Sequence, residues 1–323
     1  MTQSRRPDHA SGGEASIQVH IASKEEQLEA YRQVHEIWSG GRTMAEHMAW
    51  RQTSVSHNHA QWWVLTVEGQ VASSLGCHPL HFDMGGRRVS GYGIAAVYTP
   101  AAHRRRGYAD QLCRHVIAHQ EAQGDQVGLL FSDIKPSYYQ AMGFVPCQNT
   151  SWHCTDPAQL ASSGPAATLR RIDPRQHMDL LLHAWDAHNQ RQPLSLARDA
   201  PYWDYSLRRD DEYIFMAIED DAGQTAGYTR VWHNDQYMAP VECCLQAPNP
   251  ALYAAAGRAW GAWAAELGLG TIKTWLAPAA GLQHCFTPHT RAKAQTMIRL
   301  ANPQQVDPQW MRQHMVIPIS DHF

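Results

Sequence analysis

Residues 61–99 read QWWVLTVEGQVASSLGCHPLHFDMGGRRVSGYGIAAVYT, three apolar-rich runs parted by Gly69 and by Gly85-Gly86. Runs of this length punctuated by glycine turns predict an antiparallel meander over 61–68, 71–82 and 89–99. Upstream, apolar and polar residues alternate over 17–21, which predicts a first strand. Leu28, Tyr31, Val34 and Trp38 follow at helical spacing, Gly40-Gly41 stops that helix, and 43–51 predicts a second. Downstream, Pro100 breaks the third meander strand, and 107–123 carries Leu112, Val116 and Ile117 on one helical face. QVGLLFS at 126–132 fits a buried strand, 136–142 a short helix, and Gly143-Phe144-Val145 opens another strand. The order is β-α-α-β-β-β-α-β-α-β, an α/β (α+β) pattern with a mixed, mostly antiparallel sheet flanked by helices.

The 323 residues exceed what one such unit needs and suggest two domains, at roughly 150 residues per domain. Residues 1–14 read as a disordered tail and 15–155 as the first domain. Residues 156–167, rich in Pro, Ser and Ala, read as a linker. A second domain over 168–300 has similar element order: a helix at 177–188, strands at 212–218, 226–232 and 241–247, a helix at 250–267 and a strand at 271–276. The halves share the order of elements more than letters, a weak internal repeat. Residues 301–323 form a C-terminal extension without clear period.

Composition narrows the class. Apolar residues make up 44% and the formal charge is -3, so there is material for real cores and no global field for nucleic acid. No stretch reaches the roughly 20 apolar residues of a membrane helix. The opening MTQSRRPDHASGGEAS lacks the apolar core of a signal peptide, so a cytoplasmic protein is expected. Seven cysteines without any C-x-x-C predict neither a disulfide framework nor a metal site. A homo-oligomer stays open.

The sharpest chemical signal is Arg104-Arg105-Arg106-Gly107-Tyr108-Ala109, between a strand and a helix. A helix N-terminus offers unpaired N–H groups and partial positive charge, which suit a pyrophosphate. Gly107 lets the backbone approach it, and the arginines add positive potential. The absence of G-x-G-x-x-G and of G-K-[ST] excludes a dinucleotide fingerprint and a P-loop.

Residues 89–145 resemble the GCN5-related N-acetyltransferases (GNAT), which bind acetyl-CoA at an R/Q-x-x-G-x-G/A turn. VYTPAAHRRRGYA at 97–109 and LFSDIKPSYYQAMGF at 130–144 are most similar to the fungal lysine N6-acetyltransferases. The two-half layout, with Leu196-Ala197-Arg198, Trp203 and Gly227-Tyr228, is similar to the enhanced-intracellular-survival aminoglycoside acetyltransferases. The resemblance implies a GNAT fold with a second GNAT-like half, acetyl-CoA as co-substrate and no metal. It places Ala96, Val97 and Tyr98 along the pantetheine arm. Arg104, Arg105, Arg106, Gly107, Tyr108, Ala109 and Asp110 would line the pyrophosphate, and Ser132 and Asp133 would sit beside the cofactor.

The implied chemistry is attack by a neutral primary amine on a thioester. A lysine-type amine, with a pKa near 10.4, must lose a proton, and the departing thiolate gains from an acid. Tyr139, four residues before Gly143, takes the position of that acid; Tyr138 would point about 100 degrees away. The third meander strand carries no acid to act as base. His78, His81 and Asp83 on the strand before it, Glu36 and His47 near the N-terminal helices, and the chain-terminal carboxylate of Phe323 are the alternatives. Trp38, Met44 and Trp50, with Glu242 of the second half, are candidate acceptor contacts. The expectation is acetylation of a small-molecule amine, lysine or a related amino acid first, with an aminoglycoside, polyamine or protein lysine as rivals. A degenerate fold that senses acyl-CoA is the non-enzymatic rival.

Overall fold

The structure, a computed structural model, describes residues 16–323, so the tail expected at 1–14 lies outside the described residues. The strands are β1 (Ile17–Ile21), β2 (Gln61–Val67), β3 (Gln70–Met84), β4 (Arg87–Tyr98), β5 (Val127–Ser132), β6 (Val145–Pro146), β7 (Thr150–Cys154) and β8 (Thr168–Ile172). They continue with β9 (Leu194–Ala197), β10 (Ile214–Glu219), β11 (Thr225–His233), β12 (Met238–Leu245), β13 (Ile272–Thr274), β14 (Thr287–Thr290) and β15 (Gln295–Leu300).

Two sheets form. The first runs β1-β2-β3-β4-β5-β15-β6, with β9 added beside β3; the second runs β8-β10-β11-β12-β13-β7-β14. Each holds an antiparallel meander that passes through a helix into a parallel strand, β4 to β5 in the first and β12 to β13 in the second. The glycine turns act as expected: β2, β3 and β4 pair antiparallel in sequence. The long N-terminal helix is broken at Val34 into Lys24–Gln33 and His35–Trp38. Both Lys24–Gln33 and Met44–Thr53 begin with a capping box, from Ser23 and Thr43.

The expected domain boundaries do not follow the sheets. β7, from the first half, lies beside β13 in the second sheet, and β15, from the second half, fills the place beside β5 in the first. The first half thus lends one strand, β7, and the second half lends two, β15 and β9. Residues expected as a linker contain the helix Pro157–Ser162, capped by Asp156. One core joins the halves: Phe82 and Leu129 of the first sheet pack in a common cluster with Trp185, Trp203, Tyr228 and Ile298. A second core lies under the helix Tyr108–Ala122, whose Leu112, Val116 and Ile117 meet Trp63, Leu75, Ile94 and Leu130. The segment 301–323 is built into this body. The helix Pro308–His314 contributes Met311 to the shared core, and Ser320 and Asp321 are fully buried.

Candidate active site

β4 and β5 pair in parallel only where Gly91–Ile94 meets Val127–Leu130. Beyond that point the two strands part. β4 also carries a bulge there. Ser74 pairs with Tyr98 and Gly76 with Ala95, so β4 holds one residue more than β3 over this stretch, and Ala96 has a φ of 50°. A bulge leaves backbone polar groups without ladder partners, here facing the opening between the strands.

That opening is a cavity of about 430 Å³. It is lined by Ala96 and Val97 of β4, Ser132 and Asp133 at the end of β5, and Tyr139. Trp38 and Trp50 of the N-terminal helices line the other end, and His78 and Phe323 also border it. His78 and Phe323, 245 positions apart in sequence, therefore share one cavity.

After β4 the chain enters the helix Tyr108–Ala122, whose start contributes no residue to the cavity lining. Its N-cap is Gly107, at φ 79°, and no side chain caps it. Arg105 is also left-handed, at φ 63°. The backbone N–H groups of Arg105 through Asp110 donate to no acceptor among the described residues. A run of free N–H groups at a helix start fits an anion. The side chains divide. Arg105 and Arg106 are exposed and make no ion pair among the described residues. Arg104 turns back, its Nε donating to the Thr99 carbonyl at 3.0 Å. Asp110 binds Arg114 at 2.9 Å, which moves its carboxylate away from the cradle. Tyr98 reaches Glu36 through its hydroxyl at 3.2 Å rather than lining the cavity. Ser132 closes a local turn with Ile134, and Asp133 accepts from the backbone N–H of Ala294 at 2.9 Å.

Tyr139 lies on the short helix Ser137–Gln140 and is 8% exposed. Burial raises its pKa, so it keeps its proton at neutral pH. Its hydroxyl makes no hydrogen bond among the described residues. Tyr138 packs edge-on against it, with ring centroids 5.0 Å apart.

Among the base candidates, His78 borders the cavity, its ring tilted against that of Phe323 with centroids 4.7 Å apart. Burial pushes its pKa down to about 3, with His59 and Arg209 adding to the effect. An imidazole of that acidity is a poor proton acceptor at neutral pH. His81 is exposed and stands on the β3 segment that pairs with β9, outside the cavity. Asp83 is paired with Arg88. His47 donates its Nε2–H to the Tyr31 carbonyl at 2.9 Å and is buried away from the cavity. Phe323 lies over the strand floor: a Cβ at Gly93 would strike its ring.

Two acceptor expectations need correction. Met44 opens the helix Met44–Thr53 on the exposed surface and does not line the cavity. Glu242 does not face an acceptor. It is fully buried between Arg198 at 2.9 Å and Arg230 at 3.2 Å, with the Tyr228 hydroxyl at 2.7 Å and the Ser320 hydroxyl at 2.5 Å. Burial alone would raise its pKa, but the two guanidinium groups hold it at about 2. A carboxylate with every lone pair engaged is a structural anion. Arg198 also binds Asp321 at 2.7 Å, and Tyr202 binds the same carboxylate at 2.9 Å, so this network fixes the segment that ends at Phe323.

Sequence reading missed Arg51, His57, Trp62, Phe131 and His322, which also line the cavity. Only the tryptophans around Arg51 hinted at it. No group of His, Cys, Asp and Glu capable of holding a metal occurs among the described residues.

The comparisons agree with this geometry. The acetyltransferase (GNAT) domain family matches residues 18–147. Among solved structures, a probable N-acyltransferase from Enterococcus faecalis aligns with a TM-score of 0.72 at 14% identity, covering 90% of this chain and 74% of that one. A GCN5-related N-acetyltransferase from Kribbella flavida aligns at 0.69 and 17% identity over 92% and 74%. Eis1 from Mycobacterium abscessus aligns at 0.57 and 14% identity over 88% and 73%. At such identities these likenesses establish the fold. No curated protein matches the sequence. Residues 18–147 thus carry the match to the GNAT acetyltransferase domain, within a chain that shares the fold of these solved structures. The family transfers the acetyl group of acetyl-CoA to an amine. No helix among the described residues is long and apolar enough to cross a membrane.

Proposed function

We propose that this enzyme acetylates a primary amine of a small molecule, with lysine or a related amino acid as the favoured acceptor. The observation that carries the reading is the cavity where the bulged β4, the end of β5, Tyr139 and an aromatic chamber meet, with an uncapped, glycine-led helix following β4 in the chain. The free N–H groups at Arg105 to Asp110 hold the pyrophosphate, and the groups freed by the Ala96 bulge hold the pantetheine arm and the thioester carbonyl. Acetyl-CoA supplies the activated acyl group. Tyr139 donates its proton to the sulfur as the C–S bond breaks and the N–C bond forms. The amine's proton leaves through the open side of the cavity, since His78, its pKa pushed down to about 3 by burial, is a poor acceptor. Trp38, Trp50 and Trp62 enclose the carbon stem of the acceptor.

The test is thiol release from acetyl-CoA with amino acids, polyamines, aminoglycosides and peptides. Turnover with an amino acid is the expected result. Preference for peptides or aminoglycosides would redirect the acceptor assignment, and acetyl-CoA binding without turnover on any amine would favour a sensor.

A further inference from the structure

Arg51 stands in an unusual position for a cation. It is 2% exposed, yet it lines the cavity. Three rings surround its guanidinium: Trp50 at 5.2 Å, Tyr31 at 5.8 Å and Trp38 at 5.9 Å to the ring centroids. No carboxylate pairs with it among the described residues. Its one polar partner there is His57, whose Nε2 lies 2.7 Å from Nη1. Burial holds the His57 pKa at about 3, so this ring is neutral and accepts the hydrogen bond. Nε of Arg51 is buried without any partner among the described residues. Arg42 lies over the other side of Trp50, at 4.6 Å, and adds to the positive potential.

A buried, fully charged guanidinium without an anion is costly unless something supplies one. Desolvation lowers the Arg51 pKa only to about 10, so it remains charged at neutral pH. The aromatic rings stabilise its faces, but its in-plane donors still lack an acceptor of matching charge. Guanidinium groups recognise carboxylates through such in-plane donors.

We infer that Arg51 reads a carboxylate on the acceptor, so that the enzyme selects amines that also carry a carboxylate and discriminates against amines that carry only positive charge. The inference rests on the acetyl-transfer reading and sharpens it. The acceptor lies with its anionic end in the Arg51 chamber and its amine toward Tyr139. A second cation at the far end of the acceptor would meet Arg51 as a like charge, which disfavours polyamines and aminoglycosides.

The test pairs L-lysine with cadaverine, which differ by the carboxylate alone. Binding to the full chain is followed by intrinsic tryptophan fluorescence, since Trp38 and Trp50 flank Arg51. Lysine should bind roughly 10- to 100-fold more tightly than cadaverine, the range of a hydrogen bond to a charged group. Arg51→Gln should erase that difference, mainly by weakening lysine. Arg51→Lys, which keeps the charge but not the planar fork, should retain part of it. The wild-type pair decides the matter even where a variant fails to fold. Equal affinity of the two ligands, tighter cadaverine, or no saturable binding of either overturns the inference. Carboxylate-dependent binding without any acetyl transfer would overturn the transfer reading and leave Arg51 in its role. Transfer to lysine and cadaverine with equal kcat/KM would do the reverse.

Discussion

The molecule contains two versions of one strand arrangement, and they differ at the point where a parallel strand pair opens. In the first sheet β4, which borders the gap to β5, is followed by a helix led by Gly107, with no side-chain cap and a run of N–H groups unpaired among the described residues. In the second, β12 and β13 pair only at Met238 and Ile272, so a gap opens there too. The helix beside it, Pro250–Glu266, has proline in its first turn and Asn249 as N-cap, whose side chain accepts from the N–H of Leu252 at 3.0 Å. Proline removes one donor and asparagine satisfies another. The second gap holds a cavity of about 330 Å³, walled by Trp185, Trp310 and Ile317 from outside the sheet, with Glu242 neutralised at its side. The same topology thus leaves free N–H groups at a helix start in one half and a capped helix beside a buried ion network in the other. The difference lies in the residues at a helix start, not in the fold.

That contrast can be broken at several points. The largest effect should come from removing the second half altogether. A fragment of residues 16–155 lacks β15, which lies between β5 and β6, and leaves β7 without its sheet. It should fail to fold, as judged by circular dichroism and size exclusion; a cooperative, monomeric fragment would show the halves to be independent. Tyr139→Phe should lower kcat by roughly 10²–10⁴ with acetyl-CoA affinity retained. An unimpaired kcat would remove Tyr139 as the acid. Arg198→Ala leaves the buried Glu242 and Asp321 short of their shared cation. It should cost about 3–5 kcal/mol in denaturant unfolding, and a cost near zero would mean the anchor contributes little.

The smallest effect is pH dependence. His57 and His78 titrate at about 3 in the folded chain, against an ordinary 6.5. Between those values the unfolded chain binds protons that the folded chain refuses. Stability should therefore fall as pH drops below about 6.5, by up to about 1.4 kcal/mol per pH unit for each histidine. Denaturant midpoints that stay flat from neutral pH to pH 5 would contradict the buried, neutral state of both rings.

The first half's meander and the uncapped start of the helix after it are legible in the sequence because their signals are local: strand runs, glycine turns, and Arg104 to Ala109 before an amphipathic helix. The strand exchange is not legible. β7 and β15 are short, and their partners are fixed by pairing across the chain rather than by their own pattern. Glu242 on a strand looks like a candidate acceptor contact until Arg198 and Arg230 are seen to claim it. Arg51 reads in sequence as an ordinary charge in a short helix, and only the convergence of Tyr31, Trp38 and Trp50 around it shows that it is buried. Phe323 enters the cavity because Asp321 and Ser320 are held by residues from the second sheet and its neighbouring helix, a relation no local motif carries.

The central claim is that the Gly107 helix start alone makes this a one-cofactor enzyme. Calorimetric titration with acetyl-CoA tests it most directly, on the wild type and on Gly107→Glu, whose carboxylate would occupy the anion's space. The expected result is one site per chain, lost in the variant while the fold persists. Two sites per chain, or affinity unchanged by the substitution, would contradict the account.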